Sequence, residues 1–312
     1  MERFCAGSRV MIVAGKGGVG KTTTTAALAV AAARTGASVL IVEVEGKSGI
    51  TTCFGAPPLE YAEAELGPGV RGRTLTPDRA LLEYLEDRGL RRISKRLVRS
   101  GALDIVATAV PGMKDILVLG KVKQLEQGGA ADLILIDAPA AGHAVSFLMS
   151  PRGLLDAVRM GPVRTQAEGV IAMLSDPARC RVVLVTLPEE TPVNELVDTA
   201  YTLEDRVGVQ LGPVVVNAMP ADLALAGRST VEDAATIGVQ IPAADARALD
   251  EAAAFRLERH ELAWEQAKAL ADRLPLPQLH LPFLFAEIGP PEIDQLADAL
   301  VDEVAALPTP DA

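Results

Sequence analysis

The sequence is poor in cysteine and histidine, the residues that build disulfide frameworks and zinc sites. It has three of each among 312 residues. Cys5, Cys53 and Cys180 are far apart and form no C-x-x-C pair, a spacing that predicts neither a disulfide framework nor a zinc site. We therefore expect three reduced, partly buried thiols. The histidines are equally scattered, which gives no sign of a metal cluster.

Long apolar runs are also missing. No run approaches the roughly 18 residues that a membrane-spanning helix requires, and residues 1–9 are too polar for the core of a signal peptide. Apolar residues still make up 49% of the chain, which is enough for a large buried α/β core. The sequence thus predicts a soluble, cytoplasmic, globular protein.

Basic residues are in deficit, with 30 Lys and Arg against 41 Asp and Glu and a net charge of -11. Nucleic-acid phosphates repel an acidic protein surface. We therefore expect no nucleic-acid partner, and this argues against a role in DNA partitioning.

One segment is rich in glycine and lies between an apolar run and an alanine-rich helical run. It consists of Gly15, Lys16, Gly17, Gly18, Val19, Gly20, Lys21 and Thr22. This is the pattern G-x4-G-K-[ST], in which backbone N–H groups surround phosphate oxygens. Lys21 would contact the β- and γ-phosphates, and the Thr22 hydroxyl is a suitable ligand for Mg²⁺. A turn without a ligand would have no use for these two residues, so we predict that the segment, with the adjoining Thr23, binds a nucleotide.

Carboxylates close two of the predicted strands. The strand at 38–44 leads into Glu43 and Glu45, and the next strong apolar run ends in Asp137. Ligands of doubly wound sheets lie beyond the carboxyl ends of the strands, so these side chains should lie near the phosphates. Asp137 has the Walker B position and would hold the Mg²⁺ shell opposite Thr22. One of the two glutamates could orient the attacking water.

Two further features follow the predicted strands. Asn217 ends the segment VVVN, where its amide could recognise adenine or simply turn the chain. The turn at 138–143 is expected to change conformation with the γ-phosphate, with Gly142 as its hinge.

The order of strand and helix patterns indicates an α/β fold with a doubly wound, mostly parallel sheet. Residues 50–130 show little strand signal. Strands are predicted at 181–187, 212–217 and 278–284, and helices at 77–97, 113–126, 150–179, 192–206, 250–273 and from about 291 to 307. We interpret the chain as a single P-loop domain over residues 1–312, with helical insertions at about 77–126 and 150–179.

Lys16 is less usual, because a phosphate-binding loop does not need a second lysine directly after its first glycine. The segment GKGGVGKTT resembles the deviant Walker A motif of a group of dimeric ATPases. That resemblance implies that Lys16 reaches across a two-fold interface to the phosphates bound by the partner. The alternative is a solvated surface lysine.

Several segments agree in order with one family. They are GKGGVGKTT, the strand ending in Glu43-Val44-Glu45, LILIDAPAAGH, VTLPEETPVNE, VVVN and LPFLFAEIG. Together they resemble the arsenite-pump and tail-anchored-protein targeting ATPases, in particular the shorter bacterial members. The resemblance implies a P-loop NTPase fold with a small inserted helical subdomain, and ATP with Mg²⁺ at a dimer interface.

The same resemblance assigns roles to individual residues. Lys16 and Lys21 would be catalytic, and Asn217 would hold adenine together with the loop after Leu281, which includes Pro282. Glu45 stands where the family usually has the aspartate that positions water, and its extra methylene could slow or retune hydrolysis. The zinc clasp of the eukaryotic targeting dimers would be missing, because the chain has no paired cysteines.

We therefore hypothesise a Mg²⁺-dependent ATPase that works as a dimer and serves a membrane-directed process, either anion efflux or the handling of hydrophobic clients. Its partner would be a second copy or a paralogous ATPase, with a membrane protein or hydrophobic client as a further partner, and it would be cytoplasmic with peripheral membrane contact. One alternative is a regulatory subunit of a heterodimer with weak hydrolysis. Another is an ATP-dependent metabolic synthetase.

Overall fold

A computed structural model describes residues 1–44, 49–87, 112–139 and 141–308, together with residues 89 and 92. Glu45 lies outside the described residues, as does most of the predicted helix 77–97 beyond residue 87.

The described residues form one sheet of nine strands, β1 to β9 in chain order. The strands are β1 Val10–Gly15, β2 Val39–Val44, β3 Ala64–Gly67, β4 Val70–Leu75, β5 Leu133–Asp137, β6 Cys180–Thr186, β7 Gln210–Leu211, β8 Val214–Met219 and β9 Gln278–Pro282. Their order across the sheet is β3-β4-β2-β5-β1-β6-β8-β9, with β7 beside β6. The pairings are parallel except for that of β3 with β4. The predicted α/β fold with a mostly parallel sheet is confirmed, and β1 lies near its centre.

Helices cover both faces of this sheet. They are α1 Glu2–Ala6, α2 Lys21–Ala33, α3 Gly49–Phe54, α4 Pro77–Asp87, α5 Met113–Gln127, α6 Ala141–Ala157, α7 Pro162–Leu174, α8 Glu190–Thr202, α9 Thr230–Thr236, α10 Ala243–Arg273 and α11 Pro290–Ala306. A π-helical turn, Leu203–Val207, follows α8. Within the described part of the chain, no helix combines the length and the apolar character needed to cross a membrane.

Successive residues of the central strand pack on opposite faces of the sheet. In β1, Val10 and Ile12 join one core cluster with α5, α6 and α7, whereas Met11 and Val13 join a second cluster with α2 and α11. All four side chains are almost completely buried. Parallel strands that are covered on both faces consist of continuous apolar runs, which is why the central strands can be recognised in the sequence.

The expectation of little strand structure between residues 50 and 130 is wrong, because β3 and β4 lie there. Strand β4 has the sequence VRGRTL, which lacks the apolar run of the inner strands. Its arginines are paired locally, since the Arg71 guanidinium lies 2.5 Å and that of Arg73 3.6 Å from the Glu63 carboxylate. Strand β3 forms the edge of the sheet, and β4 lies between β3 and β2.

Two of the predicted helices begin at other residues, and the helix predicted at 150–179 is divided between α6 and α7. Helix α6 begins at Ala141 and not near residue 150, so Gly142 and His143 lie in its first turn and not in an open turn. Helix α10 begins at Ala243, seven residues before the predicted start. The residues added to α10, AADARAL, are mostly alanine, which continues a helix readily but gives a weak periodic signal. Those added to α6, AGHAVSFLM, include Gly142 shortly after Pro139, and glycine and proline together are typical of a turn.

All three cysteines are free and buried. Burial raises the pKa of the Cys5 and Cys53 thiols to about 11. A protonated thiol is a poor nucleophile and a poor metal ligand. The cysteines of this chain therefore behave as small apolar core residues.

Candidate active site

The glycine-rich segment connects the end of β1 to the start of α2 at the centre of the sheet. Gly18 and Gly20 have φ angles of +84° and +92°, in the left-handed region that favours glycine. A Cβ atom on Gly15 would lie 2.2 Å from the carbonyl oxygen of Val185 in the neighbouring strand. The loop therefore depends on its glycines both for its backbone conformation and for its close approach to the sheet.

The polar side chains of the loop meet the end of strand β5. The Thr22 Oγ1 hydroxyl donates to Oδ2 of Asp137 at 2.7 Å, and the Lys21 Nζ amine donates to the Lys16 carbonyl at 2.9 Å. Strands β1 and β5 are neighbours, with Val13 paired to Asp137 in register. The predicted P-loop and Walker B carboxylate thus come together as one site.

These side chains line a cavity at the carboxyl end of the sheet. Its lining comprises Gly17, Gly18, Lys21, Thr22, Glu43, Val44, Asp137, Ala138 and Pro139. The residues fit a nucleotide phosphate with Mg²⁺, because the loop offers glycine backbone, a lysine, a hydroxyl oxygen and a carboxylate oxygen. Across the described residues, no group of three or more His, Cys, Asp or Glu side chains is arranged to hold a metal ion by itself. A cation bound here would therefore take further oxygen ligands from phosphate and water.

Glu43 lines this cavity, as expected for a carboxylate at the end of this strand, whereas the resemblance assigned the role of positioning water to Glu45. Its carboxylate is almost fully buried, and it is paired in register with Asp137 across β2 and β5. Burial raises the pKa of Glu43, and the negative charge of Asp137 raises it further. Hydrogen bonds from the Thr74 hydroxyl and the Ile50 backbone N–H partly oppose this rise. The alternating Glu43-Val44-Glu45 pattern was the available signal, but it did not show which glutamate is enclosed.

Lys16 lies at the rim of the site. Its Nζ amine pairs with Oε1 of Glu195 on α8 at 2.7 Å, and the two side chains are 38% and 46% exposed. An ion pair that is this exposed contributes at most about 1 kcal/mol. Lys16 is not among the described residues that line the cavity, and its amine contacts Glu195 on α8. Glu195 was not predicted as a site residue, although it lies in the segment VTLPEETPVNE.

Asn217 packs against the loop from strand β8. Its Nδ2 amide donates to the carbonyl of Val19 at 3.0 Å, and a Cβ atom on Gly20 would lie 2.2 Å from the same nitrogen. The side chain therefore supports the conformation of the phosphate-binding loop. The predicted role of Asn217 in binding adenine is a separate one and stays a prediction.

A second cavity lies beside Asn217, beyond the carboxyl ends of β6, β8 and β9. Its lining comprises Leu187, Pro188, Glu189, Ala218, Pro220, Phe255, Arg256, Arg259, Leu262, Ala263 and Phe283. The Phe283 N–H donates to the Met219 carbonyl at 2.8 Å, which connects the loop after Pro282 to the loop after Asn217. The two segments predicted to hold adenine are therefore neighbours, and they border a cavity that is lined by apolar side chains together with Glu189, Arg256 and Arg259.

Comparison with known proteins places this site in a family context. Residues 8–160 match the family described as anion-transporting ATPase. The chain is 34% identical to the ATPase BagA of Mycobacterium tuberculosis over 96% of this chain and 94% of that protein. It is 26% identical to a putative arsenical pump-driving ATPase of Halobacterium salinarum, over 67% of this chain and 35% of that protein. It is also 28% identical to the ATPase get3 of Schizosaccharomyces japonicus over 52% of each chain.

Proposed function

The chain belongs to the anion-transporting ATPase family and is an ATPase of that family, and from this premise we propose that it works as a Mg²⁺-dependent dimer serving a membrane-directed process. The process is either anion efflux or the handling of a hydrophobic client. The name of the Halobacterium relative, a putative arsenical pump-driving ATPase, supports anion efflux. The proposed place of action is the cytoplasmic surface of a membrane.

The residues of the cavity have complementary tasks in this proposal. Lys21 neutralises charge on the β- and γ-phosphates, and the glycine backbone of the loop binds their oxygens. Thr22 and, through water, Asp137 would hold Mg²⁺, which would stabilise the charge of the β- and γ-phosphates during hydrolysis. Glu45 remains the predicted residue that positions the attacking water.

The position of Lys16 is the observation that supports the proposed dimer most directly. Its backbone carbonyl accepts a hydrogen bond from Lys21 of the same chain, whereas its amine pairs with Glu195 and its side chain is more than one-third exposed. A second chain can therefore reach the amine without unfolding any part of this one. This supports an arrangement in which Lys16 serves the nucleotide of the partner, which is a second copy or a paralogous ATPase.

Mixing two inactive variants tests this arrangement. Lys16→Ala removes the amine donated to the partner, and Lys21→Ala disables the chain's own P-loop. In a mixed dimer, the Lys16→Ala chain keeps an intact Lys21 and receives Lys16 from its partner. We expect an equal mixture to recover about a quarter of the wild-type ATP turnover, because half of the randomly formed dimers are mixed and each has one competent site.

The matched control is each variant assayed alone at the total concentration of the mixture, and both variants should stay inactive. If Lys16 acts within its own chain, the mixture stays as inactive as its components, and the cross-interface role is wrong. Light scattering with and without a transition-state nucleotide analogue shows whether the purified chain dimerises alone. A chain that stays monomeric in both states requires a paralogous partner.

A further inference from the structure

Glu43 has a buried carboxylate that the described contacts satisfy only in part. The residue is 2% exposed and lines the phosphate cavity. Its Oε2 accepts a hydrogen bond from the Thr74 hydroxyl at 3.1 Å. Its Oε1 is buried and accepts no hydrogen bond from the residues that the structure describes. The backbone N–H of Ile50 also stabilises the charged carboxylate, but a buried carboxylate oxygen that accepts no hydrogen bond is costly, so a bound group that donates to Oε1 would stabilise the site.

The neighbour of Glu43 makes the chemistry of that donor specific. Glu43 and Asp137 occupy paired positions on adjacent parallel strands, so their side chains stand side by side on one face and line the same cavity. Two adjacent carboxylates repel each other in a buried site. Among the described lining residues, Lys21 provides positive charge, but its amine donates to the Lys16 carbonyl. A hydrated divalent cation offers both the missing charge and water hydrogens that can be donated to Oε1.

We propose that Glu43 is a positioning residue for the hydrated cation, and that its Oε1 accepts a hydrogen bond from a water of the Mg²⁺ shell. The cation is then held from two strands, through Asp137 at the end of β5 and Glu43 at the end of β2. This inference rests on the proposed Mg²⁺-dependent binding of nucleotide. It assigns Glu43 and Glu45 to different waters, since Glu43 is enclosed in the sheet whereas Glu45 follows the strand.

The test measures metal affinity separately from catalysis. Glu43→Gln keeps the size of the side chain and removes its charge. The affinity of the protein–ADP complex for Mn²⁺ is measured by electron paramagnetic resonance, and ADP affinity in EDTA is measured by calorimetry. We expect Mn²⁺ binding to weaken by about tenfold, as for other partners of a metal's bound water or ligand. Metal-free ADP affinity should stay within about twofold of wild type, because Glu43 does not contact the phosphates in this proposal.

Two variants bracket the result. Asp137→Asn should also weaken Mn²⁺ binding, whereas Glu83→Gln, which alters a carboxylate bound to Lys121 away from the cavity, should leave it unchanged. If Glu43→Gln fails to fold, Glu43→Thr replaces it, because threonine suits a strand and also lacks the carboxylate.

Three outcomes would decide the matter. Unchanged Mn²⁺ affinity in a folded Glu43 variant overturns the inference. An equal loss of ADP affinity with and without metal also overturns it, since Glu43 would then only shape the loop. If wild-type ADP binding shows no dependence on Mn²⁺ or Mg²⁺, the proposed Mg²⁺ dependence fails, and this result is obtained without any Glu43 variant.

Discussion

Gly20 is the residue at which the phosphate-binding loop, helix α2 and Asn217 meet. Its φ angle is +92°, and a Cβ atom there would lie 2.2 Å from Nδ2 of Asn217. Gly36 has the same φ angle of +92°, but a Cβ atom there would meet nothing within 4 Å. Alanine substitutions at these two positions therefore distinguish the cost of a left-handed backbone from the cost of a steric clash.

We expect Gly36→Ala to lower the free energy of unfolding by about 1 kcal/mol, the cost of a left-handed alanine, without changing ATP affinity. Gly20→Ala also displaces Asn217 from the Val19 carbonyl, so we expect ATP affinity to fall by about tenfold or more. Calorimetry with ATP and urea denaturation measure the two effects. Equal ATP affinity in the two variants would show that the contact with Asn217 does not support the loop.

Among the elements, helix α5 is fixed to the sheet by one buried carboxylate. The Glu126 side chain is 1% exposed, and its oxygens lie 3.1 Å from Nη1 of Arg9 and 2.6 Å from Nη2 of Arg179. Arg9 precedes β1 and Arg179 precedes β6, and these strands are neighbours. Glu126 therefore connects the helix to the starts of two central strands, at the opposite end of the sheet from the nucleotide cavity.

Removing this charge should destabilise the fold without reaching the active site. We expect Glu126→Gln to lower the free energy of unfolding by about 2 kcal/mol, below the value for a fully buried pair because both arginines keep contact with water. The control is Asp298→Asn, which breaks an exposed pair with Arg34 and should cost under about 1 kcal/mol. Urea denaturation compares the variants, and a similar loss in both would contradict the assigned role of Glu126.

An element could be predicted from the sequence when a short local pattern of residues identifies it. Strands β1, β2 and β5 are buried on both faces, so each appears as an apolar run, and the motif placed Thr22 and Asp137 correctly beside each other. Strand β4 could not be recognised, because its arginines depend on pairing with Glu63. The contact of Lys16 with Glu195 joins positions 179 residues apart, and no local pattern contains that information. The enclosure of Glu43 likewise depends on the packing of β2 between β4 and β5.

At the scale of the whole molecule, the last strand, the longest described helix and the closing helix meet at His280. The ring centroid of Trp264 on α10 lies 5.0 Å from that of His280 on β9. Oε2 of Glu303 on α11 accepts a hydrogen bond from the backbone N–H of His280 at 2.8 Å and lies 3.6 Å from the ring atom Nδ1. Burial lowers the pKa of His280, and the charge of Glu303 only partly opposes this.

This junction should make the stability of the molecule sensitive to acid. The unfolded chain takes up a proton on His280 near a pKa of about 6.5, whereas the folded chain resists it. The unfolded state therefore binds more protons below about pH 6.5, and the free energy of unfolding falls as the pH drops through the lower pKa of the folded state. We expect His280→Gln to lose part of this pH dependence, while His143→Gln, at an exposed helical position, retains it. The three proteins are compared by urea denaturation at about pH 7.5 and about pH 5. The fluorescence of the single tryptophan reports unfolding. If the free energy of unfolding falls by the same amount between the two pH values in wild type and His280→Gln, another group controls the acid response.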